Sequence, residues 1–179
     1  MKCKESLDQD QINDIVKGLE NLKPGFLPFP IFKEICRLIV TSIVEIIPLR
    51  ENKKTGSIEI LLTKREKNDI FWPDLFHIPG VVLLPTDRIG NLKDAFSRIL
   101  HGELKGAKSV LEPVFIKYLF RKSKRGTELC LLHWVELVSK GQVGRWFDID
   151  KLPCNIIYGQ KRLIKIGISN FVKYKRNNI

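Results

Sequence analysis

The 179-residue sequence is poor in the side chains that build disulfide frameworks and zinc sites, with four cysteines and three histidines. Cys3, Cys36, Cys130 and Cys154 show no C-x-x-C spacing, and His77, His101 and His133 lack metal-ligand spacing, so neither kind of site is indicated. No signal peptide precedes the cysteines, and reduced thiols in a cytoplasmic protein are expected. Long apolar runs are also missing. The most apolar stretch, Phe26 to Leu49, is interrupted by Pro28, Pro30, Lys33, Glu34, Arg37 and Glu45, which excludes a transmembrane helix there. Acidic residues are in deficit: 20 Asp and Glu stand against 31 Lys and Arg, a formal charge of +11. Such a field draws phosphates, nucleic acid or anionic lipid, although a Lys- and Ile-rich composition accounts for the surplus equally well.

What remains is ordinary globular material. At 44% hydrophobic and 28% charged residues, the chain has the composition of one domain with a packed core. Ile12, Ile15, Val16, Leu19 and Leu22 recur at helical spacing and Pro24-Gly25 stops the pattern, predicting an amphipathic helix from Asp10 to Leu22. An extended Phe26–Pro30 connector and a short helix near Ile31–Cys36 complete an N-terminal helical extension, residues 1–36. This extension is the segment that would associate with a partner or with a second copy in a homodimer.

Residues 37–172 read as the main domain and 173–179 as a basic tail. Leu38–Leu49 and Ser57–Arg65 are predicted strands of a hairpin. Leu75–Leu84 is a further strand broken at Pro79-Gly80, and a helix capped by Asn91 is predicted to run to Leu104. Val110–Phe120 and Glu128–Val138 form a second predicted hairpin across the cationic turn Arg121–Gly126. After Trp146-Phe147-Asp148, Asn155 is expected to cap a last helix reaching Val172. Strands on both sides of a central helix, with another helix at the end, imply an α/β fold: a mixed sheet covered by helices on both faces.

The stretch from His77-Ile78-Pro79-Gly80 to Gly106 resembles the signature region of the Nudix hydrolase superfamily, in a degenerate form. Leu61-Leu62-Thr63-Lys64-Arg65 with Trp72 is similar to the family's lead-in, and Trp146–Pro153 to the segment before its last helix. The likeness spans Leu38 to Phe171. Arg98 stands at the family's helix arginine and Glu103 at its last glutamate, whereas Ile99 and Gly102 occupy the other two glutamate positions. Asp87 falls at the loop glutamate when counted from Pro79-Gly80, but Gly90 does when counted back from Arg98. Val81 replaces the second glycine of the turn.

This resemblance implies a Nudix-type mixed sheet sandwiched between helices. It also implies hydrolysis of a nucleoside diphosphate-linked, pyrophosphate-containing substrate, with activity weakened or lost by the missing acids. Glu103 and Asp87 would hold Mg²⁺ or Mn²⁺, Arg98 would fix the loop, and Pro79-Gly80 would form its turn. Mg²⁺ takes oxygen ligands in octahedral geometry, and one or two carboxylates suffice when substrate phosphates complete the shell. Each residue also has a plain reading. Glu103 is then a solvated side chain, Asp87 ordinary turn chemistry and Arg98 a structural pair with Asp87. Gly102 implies either close backbone approach or an early helix end.

Trp72, Arg65 and Arg125 are candidate substrate-binding residues, and Trp72, Phe76 and Trp134 either stack a base or pack in the core. Glu128 and Glu136 are expected to face solvent unless one is a distant general base. The alternative to catalysis is a binding module for a nucleotide-type small molecule or for RNA, reached through the turn Arg121–Arg125 and the tail cations Lys173, Lys175 and Arg176.

Overall fold

The computed structural model describes residues 7–177. Cys3, the first six residues of the expected extension and residues 178–179 of the expected tail lie outside them. Asp8 caps the first helix, α1 (Gln9–Glu20), through a capping box: its carboxylate accepts from the Gln11 N–H at 2.8 Å and the Gln11 side chain accepts from the Asp8 N–H at 3.1 Å. Pro30 stands in the first turn of α2 (Phe29–Leu38), where its missing N–H leaves no helical bond unmade.

The central strand is β1 (Thr41–Glu51). It pairs in parallel with β7 (Thr127–Ser139) over nine residue pairs, from Thr41↔Glu128 to Leu49↔Glu136. Its other edge is divided. Leu49–Glu51 pair with β2 (Ile58–Lys64), and Ile43–Glu45 pair with β4 (Gly80–Val82), both antiparallel. In the gap between them the Ile46 N–H donates to the Pro79 carbonyl at 3.0 Å. That split carries the segment His77–Gly80 into the middle of the sheet. β3 (Phe76–His77) and β8 (Arg145–Asp148) flank β2, whereas β5 (Lys108–Ser109) and β6 (Val114–Lys122) flank β7.

Side chains alternate along β1, so it feeds two cores. Ile43, Ile47 and Leu49 pack with Leu132, Trp134, Leu163, Ile164 and Phe171 beneath α4 (Gln160–Asn177). Val44 and Ile46 pack with Leu61, Ala95, Ile99, Leu104 and Val135 beneath α3 (Lys93–Ser97) and the helical turns that continue it. The mixed sheet is therefore sandwiched between helices. Among the described residues no helix is long and apolar enough to cross a membrane, and Cys36, Cys130 and Cys154 are free thiols.

Three local expectations are corrected. The helix after Asn91 is α-helical only to Ser97 and continues as a π-helical segment, Arg98–Glu103, in which Leu104 N–H reaches back five residues to the Ile99 carbonyl at 2.8 Å. It ends there, and Lys105 (φ 49°) and Gly106 (φ 91°) turn the chain away in left-handed conformations. A Cβ on Gly102 would meet nothing within 4 Å, so this glycine marks a helix end and not a close approach. The last helix starts at Gln160. Asn155 instead donates its side-chain amide to the Asp74 carbonyl at 3.2 Å. Because α4 runs through Asn177, Lys173, Lys175 and Arg176 are helical and not a frayed tail.

Candidate functional site

Arg98, the first residue of the π-helical segment, ties that helix to the loop before it. Its guanidinium bonds both Asp87 carboxylate oxygens and donates to the Val82 carbonyl at 2.9 Å. Asp87 also accepts from the Leu84 N–H at 2.9 Å, closing the turn Leu84–Asp87. The Arg98 hydrogen bond is the main reason the Asp87 carboxyl is held below its ordinary pKa.

Glu103, the last residue of the π-helical segment, reaches the other end of β4. Its carboxylate accepts the Gly80 N–H at 2.8 Å. Burial pushes its pKa up, against the opposing pull of that hydrogen bond. Ile99 is fully buried in the core and Gly102 is exposed, so neither brings an acid to Glu103.

Gly80 has no room for a side chain: a Cβ would lie 2.8 Å from the Val44 carbonyl oxygen and from Glu45 Cγ. Just before it, His77 is buried, with Nδ1 donating to the Ile78 carbonyl at 2.8 Å and Nε2 3.0 Å from the Thr63 hydroxyl. A carbonyl only accepts, so Nδ1 carries the proton and Nε2 of the neutral ring accepts from Thr63. Burial pushes the His77 pKa down to about 3.

Two cavities meet at Arg65 and His77. One, of about 790 Å³, is lined by Glu103, Lys64, Lys105, Arg145, Phe29 and Phe76 among others. The second, of about 530 Å³, brings together Trp72, Arg65, Arg125 and Gly80, which the sequence singled out separately. Trp134 is not among the lining residues. It is buried against Phe171 and Tyr174. Phe76 packs edge-on against Phe147.

Sequence reasoning missed the network that floors the second cavity. Arg121 makes a bidentate pair with Glu45 at 2.7 and 2.9 Å and reaches Glu128 at 3.2 Å. Glu128 further accepts from Arg125 at 2.7 Å and from the Ser123 hydroxyl at 2.9 Å. Gln160, at the start of α4, donates to Glu45 at 3.4 Å and accepts from the Ile78 N–H at 2.9 Å. Glu128 is thus almost fully buried, contrary to the solvent-facing expectation, and Glu136 is partly buried against Lys175 at 2.6 Å. The available signal was Glu45 itself, a charge at an inward-facing position of an apolar strand. Burial, and then the Glu45 charge, raise the Cys130 thiol pKa, so this cysteine is unsuited to nucleophilic work.

The donor set does not fit the divalent ion implied by the resemblance. Among the described residues no group of three or more His, Cys, Asp and Glu could hold a metal ion. Glu103 is engaged by Gly80, and Asp87, engaged by Arg98 and Leu84, lines neither cavity. The second cavity is cationic instead. Arg65, Arg121, Lys122, Lys124 and Arg125 face it against only Glu45 and Glu128, a surplus of three charges.

No protein-family model matches the sequence, and no curated protein matches it. Solved structures do. A mutT/nudix family protein from Listeria innocua superposes with a TM-score of 0.59 at 13% identity, covering 77% of this chain and 98% of that one. The NUDIX domain of Shewanella oneidensis NrtR, complexed with ADP ribose, gives 0.56 at 12% identity over 87% of this chain and 97% of its own. The C. elegans Ap4A hydrolase gives 0.52 at 17% identity over 75% and 99%. At such identities the likeness is one of architecture, and on it the chain has the Nudix fold.

Proposed function

We propose that this chain is a Nudix-fold module that binds a nucleotide-type, phosphate-bearing ligand in the 530 Å³ cavity without a divalent ion. The observation that carries this reading is the cavity's charge: five cations against two carboxylates. Fixed cations in a partly desolvated cleft attract phosphate directly, and arginine suits it through bidentate hydrogen bonding. Arg65 is the best placed. Its contact with Asp69 is long, at 3.8 Å, and its buried Nε has no hydrogen-bond partner. Lys122 and Lys124 are exposed at the rim and add charge. Trp72 offers a ring for a base, with the Arg125 guanidinium 5.2 Å from its centroid.

Arg121 and Arg125 have a supporting role. Their bonds to Glu45 and Glu128 hold the cavity floor in one arrangement before ligand arrives, which lowers the ordering cost of binding. Glu103 stands in the adjoining cavity as a half-buried acid bonded to backbone, in place of a cluster of acids.

ADP-ribose and Ap4A, the ligands named for two structural neighbours, are suitable probes. Titration calorimetry with chelator present is expected to show binding of at least one of them, weakened roughly tenfold or more, about 1.4 kcal/mol, by Arg65→Gln. Phosphate release that requires Mg²⁺ or Mn²⁺ and disappears in Glu103→Gln would overturn this reading in favour of hydrolysis.

A further inference from the structure

Among the described residues, two apolar surfaces are left without a partner. The first is on α1, where no residue is buried: Ile12, Ile15, Val16 and Leu19 are 40, 48, 45 and 46% exposed. Their i, i+3, i+4, i+7 spacing makes one stripe about 10 Å long on the helix.

The second lies on β6. In its antiparallel ladder with β7, Phe115 stands opposite His133, Tyr118 opposite Leu131 and Phe120 opposite Leu129, and opposite residues share a face. His133 packs edge-on against Phe96 of α3 as well as against Phe115, which fixes the face as the α3 side. Beyond the reach of α3, Phe115, Tyr118 and Phe120 are 54, 69 and 70% exposed, a run of aromatics about 16 Å long on an edge strand. Patches of this kind on a folded domain mark contact surfaces.

Charge selects the occupant. Within a chain of net charge +11, the segment from Asp8 to Glu20 carries Asp8, Asp10, Asp14 and Glu20 against the single Lys17. An acidic helix is repelled by nucleic acid and by anionic lipid, and is attracted to the basic remainder of another molecule of the same chain. Lys122 shares the face of Tyr118 and Phe120 by its register opposite Thr127.

We infer that α1 of one copy lies along the Phe115–Phe120 face of a second copy. The exchange is reciprocal, and two identical contacts close a twofold dimer. Each contact covers both of the surfaces left open in the single chain. This surface adjoins the cationic cavity only at Lys122, and the oligomeric state is read without ligand.

Sedimentation equilibrium of the full chain tests the inference. Wild type is expected to be a dimer, and Ile15→Asp and Tyr118→Asp, both at exposed positions, are each expected to be monomeric with unchanged far-ultraviolet circular dichroism. An equimolar mixture of the two variants should recover dimer, because one intact α1 and one intact sheet face remain. A wild-type monomer at every concentration reached would overturn the inference, as would a dimer that survives either substitution. So would a single-stranded oligonucleotide that is bound by wild type and lost in Tyr118→Asp, since that would give the face to nucleic acid.

Discussion

The Gly80 N–H donates to the Glu103 carboxylate at 2.8 Å across 23 residues of sequence, joining the first residue of β4 to the end of the π-helical segment. The acid that resembles a metal ligand in sequence therefore works as a brace between strand and helix. Burial is the main reason its pKa rises, and the Gly80 bond and the charges of Arg65 and Arg125 oppose that rise only in part.

Glu103→Gln should accordingly leave the fold intact, because an amide oxygen can accept from the same N–H. For a carboxyl whose folded pKa is raised, stability is lost as pH climbs from the unfolded value of 4.5 through the folded one, since ionisation favours the unfolded chain. The variant should thus be at least as stable as wild type at neutral pH, and less so relative to it in acid. Urea denaturation at several pH values reads this directly. A large loss of stability at pH 7 would contradict the brace role.

Arg98 and Asp87 are a second pair whose removal should be felt, with side chains 23 and 12% exposed. Arg98→Ala leaves Asp87 short of its main partner and frees the Val82 carbonyl, at an expected cost of about 2–3 kcal/mol. Hydrogen exchange should show the loss concentrated in residues 82–98. Because the Asp87 pKa is lowered mainly by Arg98, this part of the stability is present at neutral pH and fades as pH falls below about 4 in wild type.

His77 makes acid sensitivity set in earlier. Its pKa lies near 3 in the fold against 6.5 ordinarily, and His133 is shifted in the same direction by burial. Protonation thus favours the unfolded chain. Stability should be full above pH 6.5 and fall below it, by up to about 1.4 kcal/mol per pH unit for each histidine. Thermal midpoints between pH 7.5 and 5 should decline, and less steeply in His133→Gln.

The packing of α4 on β1 rests on Gly167, where an added Cβ would lie 2.4 Å from Ile47 Cδ1. Gly167→Ala is expected to destabilise by about 1–3 kcal/mol despite alanine's better helix propensity, because overpacking outweighs it. Pairing it with Ile47→Val should recover part of the loss in chemical denaturation.

The order of the elements was legible in the sequence because it is written in local periodicity. The Ile-, Leu- and Val-rich runs Leu38–Leu49 and Glu128–Val138 mark strands, and Ile12 to Leu19 marks a helix, whichever way these elements later pack. Boundaries were less legible. Asn155 looks like a cap, yet the helix begins five residues later at Gln160, whose side chain instead bonds Ile78 N–H and Glu45. The Arg98–Asp87 pair was readable as a structural reading of the motif, because its partners are only 11 residues apart on a loop and the helix it leads into.

By itself, the sequence determined the mixed sheet between helices, the amphipathic α1, and the poverty of acids at positions 99 and 102. Tertiary structure alone decided the partners of the remaining charges. Arg121 finds Glu45 from 76 residues away, Gln160 finds Ile78 from 82, and the split edge of β1 sets Arg65 beside His77 where the two cavities meet. Local pattern fixes which face of an element is apolar. Which buried charge meets which depends on how strands from distant parts of the chain come into register, and no short stretch of residues encodes that.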